Sequence, residues 1–144
     1  MPVIIQTLKM HPDAKLPRYA HSGPFGDLAA DLHAVSAWTI EPGETVAIPT
    51  GLALAFPAEY GALVEDRSGM ALRGLTTLAG VIDPGYRGEI KVVLTNLAPI
   101  PHAIFPGDRI AQLRIVRRIE AEFELVDSLD DTERSSGGFG STGT

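Results

Sequence analysis

The residues best suited to chemistry lie in one run, Ala79-Gly80-Val81-Ile82-Asp83-Pro84-Gly85-Tyr86-Arg87-Gly88-Glu89-Ile90. An acid, an aromatic ring and a guanidinium stand close together there, on a turn set by Pro84, Gly85 and Gly88. Apolar β-formers flank the turn, which predicts a β-hairpin with its chemistry at the tip. A carboxylate held this way can act as a base, the ring as a platform and the arginine as an anion anchor.

Two further segments carry candidate groups. Ser68-Gly69-Met70-Ala71-Leu72-Arg73, followed by Gly74, predicts a short helical turn with Ser68 at its N-cap. Its free N–H groups beside Arg67 would make an anion site. A turn that merely plugs one end of a barrel fits the segment equally well. Near the C-terminus, Arg134-Ser135-Ser136-Gly137-Gly138-Phe139-Gly140-Ser141-Thr142-Gly143 has the composition of a flexible tail. It lacks the Gly-Lys-Ser/Thr of a Walker loop. Because it carries Arg134 and Phe139, a mobile lid that closes on a ligand is the functional alternative to a linker. Gln112 lies mid-strand, where a carboxamide needs a buried partner. His11, His21, His33 and His102 lack metal-ligand spacing.

Eleven prolines and fifteen glycines divide the chain into strand-length pieces. Expected strands are Val3 to Ile5, Glu44 to Ile48, Gly51 to Phe56, Gly61 to Glu65, Glu89 to Leu97, Ile100 to Phe105, Arg109 to Val116 and Glu122 to Val126. Alternation puts Ile90, Val92 and Leu94 on one face. No stretch holds a helical period, so the fold class is all-β: a sandwich, jelly roll or barrel. From Arg109 to Val116 apolar side chains fall on both faces, Ile110 and Val116 opposite Ala111, Leu113 and Ile115. That pattern suggests a second buried face, and hence a homo-oligomer.

With 144 residues, 44% of them hydrophobic, the chain is long enough for one cored domain. A net charge of −6 disfavours a duplex nucleic-acid partner. It leaves room for a small phosphorylated ligand held by local arginines, with a divalent cation recruited alongside. No apolar run approaches the ~20 residues of a membrane span. The start, Met-Pro-Val-Ile-Ile-Gln, lacks a signal-peptide pattern. With no cysteine there is no disulfide framework. These features suggest a cytoplasmic protein.

Five segments in order resemble the trimeric dUTP pyrophosphatase (dUTPase) family. They are Ala29-Ala30-Asp31-Leu32-His33-Ala34, Arg67-Ser68-Gly69-Met70-Ala71, Gly80 to Ile90, Pro106-Gly107-Asp108-Arg109-Ile110-Ala111-Gln112-Leu113, and Arg134 to Gly143. The resemblance covers nearly the whole chain. It implies a distorted jelly roll or β-barrel with one short helix, assembled as a homotrimer with shared active sites. A β domain over residues 1–130 would carry a tail, 131–144, that closes over a neighbour's site. The implied activity is hydrolysis of dUTP to dUMP and pyrophosphate with Mg²⁺.

The resemblance also implies roles. Asp83 would deprotonate the water that attacks the α-phosphorus. Tyr86 would pack on the deoxyribose and exclude a 2′-hydroxyl. Gly80, Val81, Ile82 and Lys91 would frame the uracil through the backbone. Arg67, Ser68 and Gly69 would bind phosphates, and Asp31 would meet the metal through water. Gln112 would reach a phosphate oxygen or the backbone nearby, with a polar link between subunits as its alternative. Arg134 would contact the γ-phosphate and Phe139 would stack on uracil, with Gly140 and Ser141 closing the tail. Thr77 stands where the family usually has asparagine, and Asp66 where it usually has proline. An acid beside a phosphate site is expected to turn its side chain away. The alternatives are a bifunctional dCTP deaminase–dUTPase and a non-catalytic dUTP-binding trimeric sensor.

Overall fold

Alternation and bulges decide how this chain pairs. The computed structural model describes residues 2–140. In chain order they form β1 (Gln6–Lys9), β2 (Ala30–His33), β3 (Trp38–Ile40), β4 (Thr45–Ala55) and β5 (Tyr60–Glu65). Helix α1 (Ser68–Leu72) follows, then β6 (Leu75–Thr77), β7 (Val81–Ile82), β8 (Glu89–Asn96), β9 (His102–Ile104) and β10 (Arg109–Arg117). One sheet has the order β1-β4-β8-β6, a second β2-β10-β5-β7, and β3 pairs with β9. All pairings are antiparallel.

The core is one cluster drawn from all three sheets. Ile90, Val92 and Leu94 point inward from β8 as their alternation predicts, against Leu54, Leu32, Leu113, Ile40 and Ile104. Each such side chain, fully buried, contributes about 1.5–3 kcal/mol. Asn96 closes the row with no exposed surface. Its Nδ2 donates to Ile40 O at 2.9 Å and Ile100 O at 2.8 Å, and its Oδ1 accepts from Ala98 N at 2.9 Å. An Asn96→Leu substitution removes the partner of one buried backbone group, Ile40 O, and of two part-buried ones, Ile100 O and Ala98 N. A buried group left unpaired costs about 1–3 kcal/mol. The expected result is a fall in stability of at least about 2 kcal/mol, read as a lower urea midpoint at constant slope. An unchanged midpoint would mean the three bonds add nothing net.

Several expected strands moved. Glu44 to Ile48 and Gly51 to Phe56 are one strand, β4, whose pairing to β8 shifts register between Pro49 and Ala53. Two side chains hold the irregularity: Thr50 Oγ1 donates to Ile90 O at 2.6 Å, and Glu89 Oε2 accepts from Gly51 N at 3.0 Å. The first strand begins at Gln6 rather than Val3, because its pairing with Ala55 to Leu52 sets its place. Glu122 to Val126 forms no strand, and Phe123 and Leu125 are exposed. No described strand pairs with that segment.

The expected hairpin is also absent. β7 pairs with β5, whereas β8 pairs with β4 and β6, so Asp83 to Gly88 crosses between two sheets. Nor does β10 need a partner molecule to explain Ile110. A register shift between Arg109 and Ala111 turns Ile110 and Ala111 inward together, and both have no exposed surface. That removes Ile110 from the argument for an oligomer.

Candidate active site

Strand register builds one side of the site. Gln112 on β10 stands opposite Asp31 on β2 and opposite Glu65 on β5, which lines up three polar side chains across the sheet. β5 then runs through Asp66 and Arg67 into α1. Together these elements and the 20–29 loop line a cavity of about 890 Å³, which includes Arg67, Ser68, Arg109 and Arg114. Two guanidinium groups share the Asp31 carboxylate. Arg67 Nε lies 3.3 Å from one oxygen and Arg109 Nη1 3.8 Å from the other. Arg67 also donates to Arg109 O at 3.2 Å. Arg67 does not pair with its sequence neighbours Glu65 and Asp66. Instead Glu65 accepts two bonds from Arg114, at 2.6 and 3.2 Å, which hold its carboxyl below the ordinary value. At this point two cations face one carboxylate, although the cavity as a whole is lined by four acids, Asp27, Asp31, Glu65 and Asp66, and three arginines. An excess of guanidinium donors is therefore confined to the Arg67–Arg109 pair, where an anion could be held.

Helix α1 differs in detail from expectation. Arg67, not Ser68, occupies the N-cap position, and it makes no side-chain capping bond. Ser68 is the first helical residue and is exposed, and the space above Gly69 is open. Gln112 Nε2 donates to Asp66 O at 2.7 Å, so its carboxamide holds the strand end that carries Arg67. Asp66 turns toward β6 rather than toward a ligand. Its carboxylate accepts from Thr77 N at 2.6 Å and from Thr76 Oγ1 at 2.7 Å. Burial opposes its charge, but these bonds prevail and hold its carboxyl below the ordinary value.

The crossing loop forms a second, smaller cavity of about 190 Å³, lined by Val81, Ile82, Asp83, Tyr86, Glu89 and Lys91. Tyr86 N donates to Asp83 O at 3.1 Å, and Tyr86 Oη to Glu89 O at 2.8 Å. The ring folds back over Gly88, where an added Cβ would stand 2.5 Å from the phenolic oxygen. Gly80 has φ +111 and an added Cβ would lie 2.5 Å from Val64 O. The chain's own backbone therefore requires glycine there, whatever ligand approaches. Arg87 is not an open anchor: its Nη1 donates to Pro84 O and Tyr86 O within the loop. The Asp83 carboxylate is exposed, and no donor among the described residues bonds it.

The sequence-derived site thus falls into separate groups. Asp31, Arg67, Ser68 and Gln112 line the larger cavity. Val81, Ile82, Asp83, Tyr86 and Lys91 line the smaller one. Gly69 borders a third cavity beyond α1. Thr77 and Gly80 belong to the backbone between α1 and the crossing loop. Arg134, Phe139 and Gly140 line none of these cavities, and Ser141 lies outside the described residues. Arg109 and Arg114 were not singled out from the sequence. Alternation along β10, which places Arg114 on the face of Gln112, was the available signal.

Fold and site together define an all-β protein with three arginines lining one cavity and a separate carboxylate-bearing loop. The dUTPase family model matches residues 16–143. The deoxyuridine 5'-triphosphate nucleotidohydrolase of Solibacter usitatus (strain Ellin6076) is 48% identical over 142 residues, 96% of this chain and 95% of that protein. That of Bifidobacterium longum subsp. infantis is 49% identical over 145 residues, 98% of this chain and 89% of that one. Among solved structures, a mutant dUTPase of Staphylococcus bacteriophage 80alpha with dUpNHpp superposes with a TM-score of 0.87 at 25% identity. That likeness covers 98% of this chain and 99% of the phage chain. The chain belongs to the dUTPase family, and its activity is the hydrolysis of dUTP. The family uses Mg²⁺. No helix among the described residues is long and apolar enough to cross a membrane.

Proposed function

We propose that this chain converts dUTP to dUMP and pyrophosphate in a cytoplasmic homotrimer whose active sites are completed by neighbouring copies. Asp83 is the general base. The observation that carries this reading is the separation of the phosphate-binding arginines from Asp83 into two cavities of one chain. A hydrolase needs its base and its phosphate ligands around the same phosphorus. Bringing the Asp83 loop of one copy to the Arg67 cavity of another meets that need. In this reading a β domain over 1–130 is followed by a tail, 131–144, that serves a neighbouring copy's site.

The roles follow from what each side chain presents. Arg67, Ser68, Gly69 and Gln112 receive the phosphates through paired N–H donors, a hydroxyl and backbone. The Asp83 carboxylate takes a proton from the attacking water, and the P–O bond to the leaving pyrophosphate breaks. Tyr86, already fixed over Gly88, presents its ring to the deoxyribose and leaves no space for a 2′-hydroxyl. Backbone groups of Gly80, Val81 and Ile82, with Lys91 and Thr77 nearby, match the uracil edge. Cytosine would leave those groups unpaired, at a high cost.

Among the described residues, no three His, Cys, Asp or Glu side chains come together as a metal cage. Asp31 is a single carboxylate already faced by two arginines. This donor set fits Mg²⁺ carried on the triphosphate and met by Asp31 through water. Held there by Asp31 through water, Mg²⁺ would supply positive charge to the phosphates of the leaving group.

Subunit complementation tests the shared site. Asp83→Asn and Arg67→Ala proteins, each expected to be inactive, are unfolded together and refolded. Random mixing gives about one quarter of sites with both elements intact, and activity returns toward that fraction. Mixed assemblies that stay inactive would mean that both groups serve a site within one copy.

A further inference from the structure

Asp66 is the one acid of the larger cavity whose carboxylate leaves the cavity's cations and binds another strand. Its three bonds run to two strands. The carboxylate oxygens take Thr77 N at 2.6 Å and Thr76 Oγ1 at 2.7 Å, both on β6. Its carbonyl takes Gln112 Nε2 at 2.7 Å, on β10. The next residue is Arg67, which opens α1 and reaches Asp31. One residue therefore joins the end of β5, the first residues of the phosphate-binding turn, the strand leading to the base-binding backbone, and the middle of β10.

We infer that Asp66 is a positioning residue that fixes the phosphate-binding turn relative to the Thr77 backbone, so that base and triphosphate are gripped in one register. The inference rests on the assignment of Arg67 and Thr77 to the two ends of the nucleotide. Elementary electrostatics sets a contrary expectation. A carboxylate beside a triphosphate repels it, so removing the charge should tighten binding. If Asp66 acts through its hydrogen bonds, removing them should weaken catalysis even as repulsion falls. The two effects have opposite signs, and two variants separate them.

In Asp66→Asn the charge is gone but the bonds survive. The amide oxygen still accepts from Thr77 N, and the amide N–H can donate to Thr76 Oγ1, because a hydroxyl also accepts. In Asp66→Ala both charge and bonds are gone. Thr76→Val removes the hydroxyl alone. Steady-state kinetics with dUTP and Mg²⁺ should give Asp66→Asn a KM at or below that of the unaltered protein, with most of kcat retained. Asp66→Ala should raise KM and lower kcat, together costing about tenfold or more in kcat/KM. Thr76→Val should fall between them. Circular dichroism and thermal melts establish that each variant is folded. A merely structural role would lower Tm without separating the alanine from the asparagine variant in KM at a temperature where both are folded.

Equal kinetics for Asp66→Ala and Asp66→Asn would overturn the inference and leave the bonds to Thr76 and Thr77 without a part in nucleotide binding. A KM for Asp66→Ala below that of the unaltered protein would overturn it more directly. Failure of the underlying assignment looks different: the unaltered protein would then not release pyrophosphate from dUTP, or Arg67→Ala would leave KM unchanged.

Discussion

Replacing Asp83 by Asn is expected to lower dUTP turnover by about 10²–10⁴-fold, the range that loss of a positioned general base produces. That corresponds to about 3–5 kcal/mol of transition-state stabilisation. The substitution is nearly isosteric, and no donor among the described residues bonds the Asp83 carboxylate. The loop that holds it is fixed by other groups, Tyr86 N on Asp83 O, Tyr86 Oη on Glu89 O and Arg87 on Pro84 O. Fold and assembly should therefore survive. Nucleotide binding should persist too, because the amide removes a negative charge near a triphosphate. The check is a pair of measurements: pyrophosphate release, which should collapse, and calorimetric affinity for dUTP, which should not. Near-normal turnover would assign the base elsewhere. Loss of affinity in parallel with turnover would make Asp83 a structural turn acid instead.

The position of that loop shows how far the sequence could be read. The strands β5, β8 and β10 were legible because each is an apolar run of strand length between turn residues, with clean alternation in β8, and their ends differ from expectation by no more than a residue. The chemistry of the Asp83 segment was legible as well, from residue types alone. Its topology was not. Apolar runs on either side of a turn look like a hairpin, and local pattern cannot report that Val81 and Ile82 find their partner in β5 while Glu89 begins a strand in the other sheet. Ile110 shows the same limit. Strict period-two alternation assigned it to a second face, and a bulge of one residue carried it into the core. The charge partners were hidden for a related reason. Arg67 passes over its sequence neighbours Glu65 and Asp66 to reach Asp31, because strand register, not chain distance, decides which groups meet.

Deleting residues 133–144 is expected to leave folding and assembly intact and to reduce dUTP turnover by roughly 10²–10³-fold, the scale of losing a charge-stabilising donor at a reacting group. Folding should be spared because β10 ends at Arg117, and residues 119–136 are exposed. Several bonds of the described part are local. Arg134 Nε donates to Gly137 O at 2.6 Å, Gly137 N to Arg134 O at 3.0 Å, and Ser135 N to Thr132 Oγ1 at 3.0 Å. Phe139 is fully exposed with φ 48, an unfavoured conformation for a bulky residue. A ring left in water gains about 1.5–3 kcal/mol when it is covered, which is available to drive closure over a bound nucleotide. Closure would also exclude water from the phosphates and bring the Arg134 guanidinium to them. The truncated protein should keep its melting temperature and sedimentation coefficient while kcat falls. Single substitutions divide the effect: Phe139→Ala should act mainly on nucleotide affinity, and Arg134→Ala mainly on kcat. A truncated protein with full activity would return the tail to a linker, and a truncated protein that loses its assembly would make it a structural arm.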